Sequence, residues 1–161
     1  GEGLMAETLG SLVDKLTIKD IREYHINQMV ILKDKKFSRK ELTDKLRVLK
    51  RQKDEIIKEI DVFVLAAIKG KLSLRDEKLK IYNDLKDVGR IIITKSMGEV
   101  ISGLAQANLK LWHLEDEARR KDVTLSYIGK IKKMIDPANQ QRNDYIDRID
   151  QLLEEKISSL K

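Results

Sequence analysis

Cysteine is absent from the chain, proline occurs once and only 4% of residues are aromatic. The first absence excludes disulfides and thiolate metal sites and fits a reducing compartment, so a cytoplasmic location is expected. A single proline and few aromatics, beside 37% charged residues, suit long amphipathic helices better than strands. No apolar run approaches the roughly 18 residues that span a bilayer, so no membrane span is expected. The opening GEGLMAE lacks the basic and apolar regions of a signal peptide, and Gly1–Gly3 reads as an appended leader because the chain does not begin with methionine. Also missing are a glycine-rich phosphate loop, a nucleophile elbow and a His-Glu-x-x-His signature. Their absence disfavours the common enzyme classes, and no cofactor is expected.

What is present is a chain of 161 residues, enough to bury one core without staples. The net charge of +6 is a small excess between 33 basic and 27 acidic residues, the pattern of solvated helix faces. Thr8 is suited to cap a first helix carrying Leu9, Leu12, Val13, Leu16 and Tyr24, broadened by Ile18, Ile21, Met29 and Leu32, and reaching about Lys36. Ser38 and Glu41 form a capping-box pattern before a second helix with Leu42, Leu46, Leu49, Ile56, Ile60 and Phe63 or Val64 inward, stopped by Gly70.

Residues 71–94 carry conflicting signals, since Lys78–Tyr82 alternates like a strand while Leu79, Tyr82 and Leu85 have helical spacing. Gly89 and Ile91–Ile93 suggest a packed connection. Ser96 and Glu99 give another capping box, opening a helix with Val100, Ile101, Leu104 and Trp112 on one face. It ends near Asp122, which is placed to cap a helix through Ile128, Ile131 and Ile135. Asp136–Pro137 then reads as an N-cap and first-turn proline of a last helix with Ile146, Ile149, Leu153, Ile157 and Leu160 inward, beside Tyr145 and Leu152. The expectation is an all-α bundle of about five helices in one domain, residues 1–161.

Sliding Thr8 onto Ser96 aligns two stretches without a gap. Leu12 then falls on Val100, Leu16 on Leu104, Asp20 on Asn108, Tyr24 on Trp112 and His25 on His113, so that the only two histidines match. This internal repeat predicts two helices packed as a quasi-symmetric pair around Tyr24 and Trp112.

Three stretches, LGSLVDKLTI, SMGEVISGLAQANLKLWHLEDEAR and IDPANQQRNDYIDRIDQLL, resemble the bacterial family designated domain of unknown function forty-two fifty-four. The resemblance implies an all-helical bacterial protein with no established activity, whose relatives look associated with cell-surface polysaccharide gene clusters.

The polar residues on the Ser96 helix carry the candidate chemistry. Asn108 lies on the apolar stripe between Leu104 and Trp112, and Glu115 and Arg119 continue that stripe, spaced to form an ion pair. Asn139, Arg142 and Asn143 of the last helix are placed to meet this patch. A buried polar network fixing helix register is the preferred explanation. The functional one is a pocket for an anionic or sugar-containing small molecule, with Asn108, Trp112, Glu115, Arg119, Asn139, Arg142 and Asn143 as ligand-binding residues and the two arginines holding the charge.

His113 and Glu117 share a helix face, as do Asp144 and Asp147, which gives a weaker alternative of a metal-dependent hydrolase acting on a phosphorylated metabolite. The basic residues from Lys33 to Lys53 suggest nucleic-acid binding as a third class. Interleaved acidic residues and the scarcity of aromatics count against it. Apolar helices of this kind are compatible with a homodimer. The function expected is a non-catalytic or accessory binding protein, linked by resemblance to surface-polysaccharide synthesis. If the patch is a register network, Arg119→Ala should cost on the order of 3 kcal/mol of stability. If it is an anion pocket, the same change should cost little.

Overall fold

The computed structural model describes residues 7–70 and 94–160. Four helices and no strand occur among the described residues: α1 (Leu9–Ile31), α2 (Arg39–Ile68), α3 (Met97–Ala118) and α4 (Leu125–Ser159). The expectations for residues 71–93, including the alternation at Lys78–Tyr82, Gly89 and the isoleucine run, lie outside them.

Local chemistry sets most helix ends. The Thr8 side chain accepts from Ser11 N, the Ser38 side chain from Glu41 N and the Ser96 side chain from Glu99 N, each satisfying an N–H that the first turn leaves unpaired. Both halves of the capping box form at Ser96, but only the serine half forms at Ser38. Gly70 follows α2, its N–H reaching the Ala67 carbonyl (3.1 Å) and its φ of +68, the left-handed conformation, turning the chain out of the helix.

α1 ends at Ile31, short of the expected Lys36. There Lys33 takes φ 51, so that its N–H reaches Val30 O (3.3 Å) and the next N–H, of Asp34, reaches Met29 O (3.0 Å). That paired closure terminates a helix even though the left-handed residue is not glycine.

The two helices expected around Asp136–Pro137 are one. α4 runs unbroken through Pro137, capped by Thr124, whose side chain accepts from Tyr127 N (3.1 Å). Asp122 does not cap it. Its carboxylate instead receives Arg120 Nε and Nη2 at 3.0 and 2.8 Å. An internal proline forfeits one backbone bond and ordinarily costs about 3 kcal/mol. Here Pro137 is exposed, leaving the carbonyl it cannot serve on the solvent side, while the chain on both sides of it is anchored by packing on α3. Ile131 and Ala138 meet Leu111 and Leu114, and Tyr145 and Ile149 enter the main core. Tertiary burial overrides the local break signal.

Pairwise contacts fix the helix directions. Leu12 shares a core cluster with Ile56 and Phe63 while Ile26 shares one with Leu42 and Leu49, and Glu117 meets Tyr127 while Gly103 lies against Tyr145. α1 and α2 are therefore antiparallel, as are α3 and α4. α4 is also antiparallel to α1, because Asp14 pairs with Arg142 and Gly10 with Asp150. The main core joins Leu12, Phe63, Val100, Leu104 and Ile149, all essentially excluded from solvent. Separate apolar clusters close the α1–α2 end (Ile26, Leu42, Leu49) and the α3–α4 end (Leu111, Leu114, Ile131, Ala138).

α1 and α3 touch, but not around Tyr24 and Trp112 as expected. Tyr24 is 61% exposed and stands in a T-shaped arrangement with His25, whose ring stacks on Trp112 at 4.6 Å with an interplanar angle of 5°. The face that α1 turns to α3 contains Asp14, Ile18, Ile21 and His25, and Tyr24 lies one residue, about 100°, around the helix. Thr8 and Ser96 both cap, and Leu12 and Val100 are both fully buried. Other matched positions differ: Asp20 pairs outward with Lys53 (2.7 Å) while Asn108 is buried, and His113 is exposed.

The matched glycines also differ. A Cβ on Gly10 would run into the Ile146 carbonyl, whereas nothing lies near one on Gly98. Gly10→Ala should therefore cost about 2 to 3 kcal/mol by overpacking against backbone. Gly98→Ala should stabilise by about 0.5 to 1 kcal/mol through loss of unfolded-state entropy. Denaturant unfolding of the two variants checks both signs.

Candidate functional site

Asp14 lies four residues after Gly10 and four before Ile18, on the face of α1 that packs on α3 and α4. It is buried, so its carboxylate must be paired. Arg142 of α4 binds it with both arms, Nε donating to Oδ1 (2.9 Å) and Nη2 to Oδ2 (2.7 Å). Asn108 of α3 donates from Nδ2 to Asp14 Oδ1 (2.9 Å) and to Thr17 Oγ1 (2.8 Å), and the Thr17 hydroxyl donates to the Asp14 carbonyl (2.9 Å). A carboxylate only accepts, which fixes the orientation of the Asn108 amide. Hydrogen bonding to Asp14 raises the pKa of the Arg142 guanidinium above its ordinary value, against the opposing effect of burial. Two turns along α4, Asp150 Oδ1 accepts the Gly10 N–H at 2.7 Å, placing a buried carboxylate at the positive end of α1.

Beside this network the three helices leave a cleft of about 140 Å³. Ile18, Ile21 and Leu111 supply its apolar walls and Trp112 an aromatic one. Arg22, Asn108, Glu115, Asn139 and Arg142 bring polar groups to it. Five of the seven residues expected to bind a ligand thus converge: Asn108, Trp112, Glu115, Asn139 and Arg142.

Arg119 and Asn143 do not join them. α3 ends at Ala118, so Arg119 is its C-cap, and its exposed side chain lies 3.7 Å from Asp116 and forms no pair with Glu115. Extending the stripe past the helix end was the error. Asn143 is exposed, one residue around α4 from Arg142. Asp14 and Arg22 are the residues that sequence reasoning missed. For Asp14 the signal was its spacing from Gly10, Ile18 and Ile21, which puts a charge on an inward stripe. Arg22 follows Ile18 by four residues on the same side.

The weaker metal set is not assembled. Glu117 accepts the Tyr127 hydroxyl (2.6 Å) and Arg120 Nη1 (2.9 Å), and those bonds hold its carboxyl below the usual range. His113 is exposed, Asp144 accepts from Gln140 (2.9 Å) on its own helix, and Asp147 is buried. Among the described residues no group of three or more His, Asp or Glu side chains is arranged to hold an ion. The basic run from Lys33 to Arg51 is exposed along the α1–α2 turn and α2, while Lys53 is held by Asp20 and Glu23. A larger recess of about 300 Å³ at that turn involves Met29, Phe37 and Leu42. Its Asp34 is engaged in a local turn, accepting from Lys36 N, and no buried network fixes its polar groups. No helix among the described residues is long and apolar enough to cross a membrane.

The class this defines is an all-helical bundle with a small mixed-polarity cleft where three helices meet, one wall of which is fixed by an ion pair between a buried carboxylate and a half-buried guanidinium. The chain belongs to the family described as Protein of unknown function (DUF4254), whose model matches residues 2–75 and 99–161. No curated protein and no solved structure matches it.

The two arginines should behave oppositely. Arg142→Ala leaves a buried carboxylate with amide partners only and should cost about 3 kcal/mol. Arg119→Ala removes an exposed contact and should change stability by less than about 0.5 kcal/mol. Equilibrium unfolding of both variants tests the assignment.

Proposed function

We propose that the chain is a non-catalytic binding protein whose ligand, a small polar molecule, occupies the cleft between α1, α3 and α4. The observation that carries this is the convergence on one recess of Asn108, Trp112, Glu115, Asn139 and Arg142 from two helices, against apolar Ile18 and Ile21 of a third. A few fixed polar groups in an apolar setting are what orient a small ligand. Arg142 and Asn108 are immobilised by Asp14 and Thr17, so little side-chain freedom remains to be lost on binding. Placement in the cytoplasm rests on the lack of cysteine, and a link to bacterial surface-polysaccharide synthesis rests on the family resemblance.

The Trp112 indole N–H is a single, assignable NMR reporter, since the chain has one tryptophan. Screening pooled small metabolites against the protein should shift it together with amides of α1 and α4 that border the cleft. Pools that move only resonances near Phe37, or none, would count against the cleft as the binding site.

A further inference from the structure

The hydrogen-bonding capacity left over in the cleft identifies a ligand class, on the reading that the cleft is the binding site. Asn108 spends its amide nitrogen on Asp14 and Thr17, leaving Oδ1 as an acceptor to which no described residue donates. Glu115 adds a carboxylate with no hydrogen-bond donor among the described residues, close enough to contribute to the raised pKa of Arg142. Arg142 commits Nε and one arm to Asp14, which leaves the donors of Nη1, and Arg22 and the Asn139 amide supply more. Acceptors and donors therefore stand side by side at the cleft.

Charge does not favour an anion. The guanidiniums of Arg22 and Arg142 are matched by the carboxylates of Asp14 and Glu115. A phosphate or carboxylate ligand, which only accepts, would oppose Glu115 and Asn108 Oδ1. A purely apolar ring would leave every polar group unserved. The group that satisfies adjacent donors and acceptors together is the hydroxyl, which donates and accepts at once. Size narrows the class further. The cleft's 140 Å³ is close to the roughly 150 Å³ of an engineered cavity that takes one benzene ring.

We infer that the cleft takes a neutral, single-ring polyol, such as a pyranose or a cyclitol, with its hydroxyls bridging Glu115 and Asn108 Oδ1 to the free edge of Arg142 and its ring against the aromatic and aliphatic walls. The anionic ligand expected from Arg119 and Arg142 loses its basis, because Arg119 is elsewhere and Arg142 is already neutralised.

The test is titration of the intact protein with D-glucose, D-galactose and myo-inositol as neutral polyols, glucose 6-phosphate and glucuronate as anions, and benzene as an apolar ring, following Trp112 emission and its indole N–H. Saturable binding of a neutral polyol, weakened about tenfold by Glu115→Gln as expected for one hydrogen bond to a charged group, supports the inference. Asn139→Leu, at a half-buried position, provides a second variant, and unchanged melting temperatures show that both remain folded. Binding confined to the anions and weakened by salt, or confined to benzene, overturns the polyol assignment while leaving the cleft a binding site. A Trp112 signal unmoved by all three classes overturns both.

Discussion

The carboxylate of Asp14 is the constraint on which the arrangement of α1, α3 and α4 depends. Taking an ionised group out of water costs several kcal/mol unless charge and hydrogen bonds replace its hydration. Asp14 recovers them from two other helices, a bidentate guanidinium from α4 and an amide from α3. Apolar contacts such as those of Leu12 with the main core tolerate sliding and rotation, because burial energy is nearly non-directional. Fork-to-carboxylate geometry does not, so the network selects one register among several that would bury similar area.

That register propagates along α4. Arg142, Ile146 and Asp150 recur at four-residue intervals and meet α1 in reverse order, the first at Asp14 and the other two at Gly10. Gly10 allows the approach, since any side chain there would collide with the α4 backbone. Gly103 does the same between α3 and the Tyr145 ring. Continuity through Pro137 belongs to the same scheme, for a break there would uncouple the Ile131–Leu114 contacts from the face carrying Arg142. A rod that follows α3 along its length presents Asn139 and Arg142 to the cleft and still reaches the α3–α4 turn, where Tyr127 bonds Glu117.

Much of this was legible in the chain. The Thr8, Ser38 and Ser96 caps, the glycine stop after α2 and most of the apolar spacing are local signals with local causes, and the structure follows them, although Leu32 and Leu160, read as part of the inward stripes, are exposed at helix ends. The polar stripe from Asn108 to Glu115 was readable because amide and charge on an apolar face require partners. What escaped was non-local. The break signal at Asp136–Pro137 was real, but packing on α3 outweighed it. Arg119 had the right spacing on a helix that stops one residue too soon. Asp14 was passed over because its partners, Asn108 and Arg142, lie far along the chain. The matched histidines share a position in the aligned stretches but not a setting, one stacked on Trp112 and the other in solvent.

Structure and function divide the polar residues between them: the inner groups lock the helices, and what those groups leave unused faces the cleft. The most direct test of this division is the coupling energy between Asp14 and Arg142 in a double-mutant cycle, from the unfolding free energies of Asp14→Ala, Arg142→Ala and the double variant. A register-setting ion pair predicts that the double variant costs less than the two single changes together by at least about 1.5 kcal/mol. Additivity to within about 0.5 kcal/mol would contradict it and leave helix register to apolar packing alone.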